Sequence, residues 1–185
     1  GREHLPVAGD SAVLVCNHAS YLDVGFIILA LPSPVGFVAK AELSRNPLVR
    51  IFLKRLGVEF VERFNAKRGA ADARALSQRL RAGKPLLYFP EGTFTATPGL
   101  RTFHMGAFMA AASTGMPLVP MALRGSREQM RPGNWYPHPG MTTLTITPAI
   151  LPATNDSSST WDEAIMLRDR ARVAVLAHCG EADLG

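Results

Sequence analysis

Residues 12–23 read Ala-Val-Leu-Val-Cys-Asn-His-Ala-Ser-Tyr-Leu-Asp, an apolar run that turns polar after its fifth residue. The apolar part predicts a buried β-strand, and the polar part predicts a loop that presents His18. The apolar run from Val24 to Leu31 then predicts a helix. Ser20 is its candidate N-cap, and Asp23 has the position of a capping-box carboxylate. The stretch therefore predicts a strand, a loop and a helix in direct succession.

His18 and Asp23 are a candidate catalytic pair. On one continuous helix, side chains five residues apart would point about 140° apart and would not meet. With His18 in the loop and Asp23 in the first helical turn, the imidazole can fold back and hydrogen-bond the carboxylate. That contact fixes the tautomer and leaves the other ring nitrogen free to act as a base. Taken alone, the two residues also fit a helix cap and an ordinary loop histidine.

Length and composition predict one globular domain. The chain has 185 residues, of which 47% are hydrophobic, enough for a sizeable core. No apolar stretch reaches the roughly 18–20 residues that span a bilayer, and the N-terminus has no secretory signal pattern. We therefore expect a single domain over residues 1–185. Because the chain begins at Gly1 and not at Met, we also expect it to be cut from a longer protein. Cys16 and Cys179 lack metal-ligand spacing, which predicts free thiols in a reducing compartment.

Positive charge is concentrated in residues 40–84, called the basic segment below. It holds 12 of the 20 Lys and Arg but four of the 15 Asp and Glu, a net charge of +8, whereas the whole chain carries +5. Such a surface suits an anionic membrane, a phosphorylated ligand or nucleic acid, and a plain solvated face is the alternative. With little aromatic interleaving and no recognised motif, we expect no nucleic-acid partner.

Apolar runs and helix signals alternate along the rest of the chain. Further strands are predicted at about 35–40, 58–61, 85–89, 117–123 and 142–147. Further helices are predicted at about 47–56, 65–82, 102–114 and 161–179. Pro120 suggests a bulge or a sheet edge, and residues 124–140 have the composition of a loop. The alternation predicts an α/β fold, a single layered domain with a central mixed, largely parallel sheet flanked by helices.

Polar side chains follow several of the predicted strands, where α/β proteins place their sites. Glu91 and Thr93 offer a carboxylate and a hydroxyl after strand 85–89, and Gly92 between them permits close backbone approach to a ligand. Arg63 follows strand 58–61 and suits bidentate binding of a phosphate, and Lys40 closes strand 35–40. The further, weaker candidates for function are His104 and the loop arginines Arg124, Arg127 and Arg131.

Four segments together resemble the PlsC-like glycerolipid acyltransferases, the family of lysophosphatidic acid and glycerol-3-phosphate acyltransferases. They are Asn17-His18-x4-Asp23, Gly57-x-x-Phe60-Val61-x-Arg63, Phe89-Pro90-Glu91-Gly92-Thr93 and Pro117-Leu118-Val119-Pro120. The resemblance covers about residues 10–150, and the first and third segments, in this order and at this spacing, are specific. It favours functional roles for His18, Asp23 and Glu91 over structural ones.

The resemblance implies transfer of a fatty acyl group from acyl-CoA or acyl-carrier protein to a lysophospholipid hydroxyl, with 1-acylglycerol-3-phosphate as the first candidate acceptor. It implies His18 as the base and Asp23 as the residue that orients it, and it implies no metal or cofactor. The acceptor site it implies consists of Arg63, Glu91, Gly92, Thr93 and, more weakly, Lys40. The expected location is cytoplasmic, at an anionic membrane surface on the inner face of the membrane.

Two positions depart from the pattern of that family. Phe94 stands where a basic residue is often found, and His104 stands where a lysine is common, although Arg101 lies in the same loop and is a possible substitute. Another lysolipid or a non-phosphate alcohol is therefore an alternative acceptor. Two other functions also remain as alternatives, namely thioesterase-like hydrolysis and a non-catalytic lipid-binding or membrane-binding module.

Overall fold

The computed structural model describes residues 1–7, 10–40, 51, 55, 58–61, 66–131, 133, 136–153 and 159–185. Its strands are β1 (Val13–Cys16), β2 (Gly36–Lys40), β3 (Val58–Val61), β4 (Leu86–Tyr88), β5 (Leu118–Arg124) and β6 (Thr143–Ile146). Its α-helices are α1 (Asp23–Ala30), α2 (Ala66–Arg81), α3 (Gly106–Thr114), α4 (Ser126–Gln129) and α5 (Thr160–Cys179). A short 3₁₀ turn, Arg2–His4, precedes them.

The strands form one sheet in the order β3-β2-β4-β1-β5-β6, in which all neighbours are parallel except β5 and β6. This arrangement confirms the predicted α/β fold with a mixed, largely parallel sheet. The apolar run of β1 lies at its centre, between β4 and β5, and all four of its residues are buried. A parallel strand covered on both faces is expected to be continuously apolar, as β1 is.

Helices cover both faces of the sheet, and alternate residues of β1 contribute to each side. Val13 and Val15 belong to a cluster with residues of α2, α3 and α5, whereas Leu14 and Cys16 pack with Ile27 of α1. The connections that leave β1 and β4 therefore run to opposite faces. Because the two strands are neighbours, a crevice opens at their carboxyl ends, which is where open α/β sheets bind ligands.

Several boundaries differ from the predictions, because tertiary contacts outweigh local signals. α1 begins at Asp23, with Leu22 as an N-cap that makes no side-chain bond, so the predicted Ser20 cap is wrong. The Ser20 hydroxyl instead donates to the Met130 carbonyl and accepts from the Leu22 N–H. α3 begins at Gly106 and not at residue 102, since Phe103 is buried in the core and residues 101–104 have no regular secondary structure.

One other prediction for the second half of the chain is wrong, and another is right in part. The segment 124–140 was expected to be a loop, but it contains α4, whose Gln129 side chain is buried and bonded to Thr142. Pro120 lies inside β5 with β1 beside it, and not at an edge. Opposite Pro120 the pairing shifts by one residue, from Met121 with Ile146 to Leu118 with Ile150, so the predicted bulge is found in the segment that pairs with it. The predicted helix 47–56 falls largely outside the described residues.

Among the described residues, none of the helices is long and apolar enough to cross a bilayer. Within the same residues, no group of three or more His, Cys, Asp or Glu side chains is arranged to hold a metal ion. Both cysteines are buried free thiols.

Truncation of a side chain in the central strand tests the assigned core. Leu14 is fully buried in β1, between Leu87 and Val119 of the neighbouring strands. We expect Leu14→Ala to lower the free energy of unfolding by about 2–5 kcal/mol, because it removes buried methyl groups and leaves a cavity. Urea denaturation measures the effect.

The matched control is Leu151→Ala, since the Leu151 side chain is 66% exposed. Its free energy of unfolding should stay within about 0.5 kcal/mol of the wild type. Equal losses in both variants would contradict the assignment of β1 to the core.

Candidate active site

His18 and Asp23 are in direct contact at the carboxyl end of β1. Nδ1 of His18 lies 2.8 Å from Oδ2 of Asp23, so the predicted fold-back of the imidazole is confirmed. The same oxygen accepts the N–H groups of Ala19 at 2.7 Å and Ser20 at 2.9 Å. Because this oxygen acts as an acceptor, Nδ1 carries the hydrogen, and the neutral ring keeps an unprotonated Nε2.

The Asp23 carboxylate is held at a buried but electrostatically favourable position. The side chain has no solvent exposure and is the first residue of α1. The helix dipole and the two backbone donors stabilise its negative charge. Among the described residues its second oxygen, Oδ1, has no hydrogen-bond partner. The hydrogen bonds that the described residues make to this carboxylate therefore all converge on the oxygen that contacts His18.

Glu91 links the loop after β1 to the loop after β4. Its Oε1 accepts the backbone N–H of His18 at 2.8 Å, and its Oε2 accepts that of Arg101 at 2.9 Å. The residue is 5% exposed. Burial raises the pKa of the Glu91 carboxyl above its usual value, while the two backbone donors and the His18 charge act in the opposite direction. In this arrangement the carboxylate positions the backbone of His18.

The turn that carries Glu91 uses glycine where the backbone requires it. Gly92 has a φ of 71°, in the left-handed region that glycine adopts without steric cost, and its N–H donates to the Phe89 carbonyl. The Thr93 side chain that follows is exposed to solvent. The predicted contribution of Glu91, Gly92 and Thr93 to acceptor binding remains a prediction, and both oxygens of Glu91 already accept backbone N–H groups.

Two aromatic side chains pack against the His18 ring, and a third packs against one of them. Phe89 stacks on it with ring centroids 4.1 Å apart and an interplanar angle of 19°. Phe94 lies 4.2 Å from it at 53°, and Tyr21 meets Phe94 edge-on at 4.8 Å. The His18 side chain is 15% exposed. The ring orientation is thus set by one hydrogen bond and by aromatic packing.

Asn17 fixes the start of the loop that presents His18. It is buried, and its side chain donates to the Leu123 carbonyl at 2.9 Å and accepts the Leu123 N–H at 2.7 Å. These two bonds continue the pairing of β1 with β5 by one residue, after which the backbone is free to turn.

The ion pair Arg127–Glu181, called the loop clamp below, holds the segment that follows Phe94. Arg127 Nε donates to Glu181 Oε1 at 2.5 Å, and each side chain is 11% exposed. Arg127 also donates to the Thr95 carbonyl, and Glu181 accepts the Gly99 N–H. Since both ends of the 95–99 turn are held in this way, Arg127 is engaged within the protein. The hypothesis that it faces an anionic ligand is not supported.

An apolar cavity of about 520 Å³ lies between the sheet and helices α2 and α3. Its lining includes Phe89 and Pro90 at the site, Tyr88 on β4 and Met109 on α3. His104 also lines the cavity, near its opening, and its side chain is exposed. Phe89 also stacks on His18, so the cavity adjoins the catalytic candidate through this one side chain, although His18 itself does not line it.

Other predicted site residues are only partly placed by the structure. Lys40 ends β2, but its side chain is not described, and Arg63 lies outside the described residues. The backbone N–H of Arg101 holds Glu91, while its side chain is exposed. Arg124 is exposed and packs over Gly180. The phosphate-binding roles expected for Lys40 and Arg63 therefore remain predictions.

A protein-family model described as Acyltransferase matches residues 1–124. The chain belongs to the acyltransferase family. A 1-acyl-sn-glycerol-3-phosphate acyltransferase from Chlamydomonas reinhardtii is 31% identical over 176 residues, which are 95% of this chain and 50% of that protein. A lyso-ornithine lipid O-acyltransferase from Pseudomonas aeruginosa is 35% identical over 118 residues, which are 62% of this chain and 43% of that protein. The chain thus spans half or less of these two relatives.

A solved structure shares the fold of this acyltransferase-family chain. It is the crystal structure of PlsC from Thermotoga maritima, a 1-acyl-sn-glycerophosphate acyltransferase, with a TM-score of 0.69 and 24% identity. The match covers 94% of this chain and 70% of that one. The resemblance to the PlsC-like acyltransferases is therefore confirmed.

Three features of the candidate site were missed in the sequence. They are the packing of Phe94 on His18, the bonds of Asn17 to Leu123, and the loop clamp. Each joins residues that are far apart in the chain, and no local spacing signals such a contact. Asn17 belongs to the first of the four family segments, and Phe94 directly follows the third. These positions were the local signals that pointed to the two residues.

The raised pKa of Glu91 predicts a specific dependence of stability on pH. The folded state binds the Glu91 proton more tightly than the unfolded state, whose carboxyl has the usual pKa of 4.5. The resulting stabilisation is complete below that pKa and is lost as pH rises through the raised one. We expect the free energy of unfolding of the wild type, minus that of Glu91→Gln, to fall as pH rises from 4.5.

Urea denaturation of both proteins at a series of pH values measures this difference. All other titrating groups are present in both proteins, so the difference reports Glu91 together with its coupling to His18 and Glu181. A difference that grows with pH would mean that the backbone donors lower the pKa of Glu91 more than burial raises it.

Proposed function

We propose that this domain transfers a fatty acyl group from a thioester donor, acyl-CoA or acyl-carrier protein, to a lysophospholipid hydroxyl. The acceptor of first choice is 1-acylglycerol-3-phosphate, which would give phosphatidic acid. The observation that carries the proposal is the His18–Asp23 pair, whose Nε2 has no protein partner among the described residues. The names of the relatives support the same class of reaction.

In the proposed reaction His18 Nε2 removes the proton from the acceptor hydroxyl as its oxygen attacks the thioester carbon. The new carbon–oxygen bond forms, the carbon–sulfur bond breaks, and the proton passes from the imidazolium to the departing thiolate. The Asp23 carboxylate orients the ring and stabilises its positive charge. Neither a covalent enzyme intermediate nor a metal ion takes part in the proposed reaction.

The surroundings of the pair support the proposed lipid substrates. The apolar cavity is contiguous with Phe89 and suits an acyl chain, since such pockets bind ligands mainly by burying apolar surface. Binding both reactants at this crevice would supply much of the rate through proximity. The acceptor's phosphate would be bound by Arg63, by the turn at Gly92 and Thr93, and more weakly by Lys40. Glu91 would contribute by holding that turn against the His18 backbone.

We propose peripheral association with an anionic membrane, on its inner, cytoplasmic face. The supporting features are the basic segment and the apolar side chains exposed on α1 and just before it. Leu29 of α1 is 84% exposed, and Ile28 and Tyr21 are also exposed. Clustered exposed apolar surface commonly marks a binding face.

The primary test measures thiol release from a long-chain acyl-CoA, with and without lysophosphatidic acid. For the wild type we expect release that depends on the acceptor, and for His18→Ala we expect that release to be lost. Acceptor-independent release would favour a thioesterase. The assay is repeated with acyl-carrier protein as the donor and with a lyso-ornithine lipid as the acceptor. If no combination of donor and acceptor gives release, a binding module is favoured.

The hydroxyl of Ser20 lies two residues from His18, so in the sequence it could be mistaken for a nucleophile. Ser20→Ala is therefore the matched control. The structure shows Ser20 buried and bonded to Met130 and Leu22. The variant should keep the acceptor-dependent release, whereas its loss in a folded protein would favour a covalent acyl-enzyme.

Asp23→Asn tests whether the charge of Asp23 is used in addition to its hydrogen bonds. An amide oxygen can still accept the N–H groups of Ala19 and Ser20, but the side chain is neutral. We expect kcat to fall by about 10²–10⁴, the range of a general acid–base contribution, with a smaller change in KM. Steady-state kinetics measures both constants. An unchanged kcat would show that the charge of Asp23 is not used.

A further inference from the structure

Phe94 is the aromatic neighbour of His18 that no part of the proposed mechanism uses. It comes after Thr93, in an irregular segment, and is only partly buried. Its ring centroid nevertheless lies 4.2 Å from that of His18. Phe89 already covers one face of the imidazole in a nearly parallel stack, so Phe94 must approach the ring from another side. Together the two rings leave little of the imidazole open to solvent.

We propose that Phe94 is a positioning residue that covers His18 and excludes water from its free nitrogen, so that the acyl group passes to the lipid acceptor and not to water. This inference rests on the proposed acyl transfer and identifies the residue that suppresses the competing hydrolysis. Phe94 acts through His18, because it contacts the imidazole and has no group that could exchange a proton.

Water is a chemically competent rival for the acceptor at this site. The base that activates a lipid hydroxyl would equally take a proton from water. The water oxygen would then bond to the thioester carbon, the carbon–sulfur bond would break, and a free fatty acid and a thiol would leave. A site that has no enzyme nucleophile can prevent this only by controlling what reaches the base. An apolar ring against the imidazole provides that control, since it offers water no hydrogen-bond partner.

Two contacts hold Phe94 in this position. The exposed ring of Tyr21 packs edge-on against it at 4.8 Å, a favourable aromatic geometry. The loop clamp Arg127–Glu181 holds the 95–99 turn that follows Phe94. Tyr21 thus supports the ring of Phe94, and the loop clamp supports the backbone that follows it.

The first experiment measures thiol release from acyl-CoA with and without lysophosphatidic acid, for Phe94→Ala and for the wild type. We expect the ratio of acceptor-independent to acceptor-dependent release to rise about fivefold in Phe94→Ala, the factor that corresponds to the loss of one aromatic pair contact. Phe94→Leu should give a smaller rise, since it keeps an apolar side chain over the imidazole. If Phe94 had a purely structural role, Phe94→Ala would lower both release rates by the same factor. That result would overturn the proposal.

The matched control is Leu151→Ala, which also removes a large apolar side chain but lies outside the site. Its ratio should equal that of the wild type, and urea denaturation should confirm that each variant is folded.

A second measurement does not depend on catalysis. Diethyl pyrocarbonate modifies an accessible unprotonated imidazole nitrogen, and mass spectrometry of the peptide that contains His18 reports the rate at this residue. We expect the rate to rise about fivefold in Phe94→Ala, by the same contact energy, and to be unchanged in Leu151→Ala. Equal rates in folded Phe94→Ala and wild type would overturn the proposal. If the wild type shows no acceptor-dependent release, the proposed function fails. The modification rate still tests whether Phe94 covers the imidazole of His18.

Discussion

The Glu91 carboxylate joins the two loops that form the candidate active site, and the geometry of that site depends on it. One oxygen accepts the N–H of His18 and the other that of Arg101, so the end of β1, the turn after β4 and the segment near residue 101 are held together. The sheet makes this possible, because β1 and β4 are adjacent although more than 60 residues separate them. Without the carboxylate, two backbone donors at a partly buried position would lose their partners, which is costly.

Burial of Glu91 and Asp23 shows how charge is managed in this crevice. Both carboxylates are almost completely removed from solvent, and among the described residues each accepts backbone N–H groups, with no hydrogen bond from a lysine or arginine. These fixed backbone donors hold the two carboxylates in place beside the imidazole of His18. The aromatic rings around His18 then limit its contact with water. Such preorganised polar groups in a dry surrounding are typical of catalytic sites.

Much of the fold was predictable, because its signals are local. The apolar runs of β1 and β4 and the polar residues after them predicted buried strands that end in a site. Helix geometry showed that His18 could reach Asp23 from the loop, and the family resemblance favoured that pair. The errors have a common physical cause. Ser20 lost its predicted cap because its hydroxyl bonds Met130, 110 residues away. Pro120 is not at the predicted edge but inside the sheet, where the pairing of β5 with the segment after β6 shifts by one residue opposite it.

The sequence by itself determined the α/β class, the order of the elements, the His18–Asp23 pair and the family resemblance. These depend on periodicity and short spacings, which are properties of neighbouring residues. Only the tertiary structure decided that Glu91 supports the His18 backbone, that Phe94 covers the imidazole and that Arg127 pairs with Glu181. Each of these contacts joins residues more than 50 positions apart, and it exists because the sheet and its helices bring them together, a relation that no local pattern encodes.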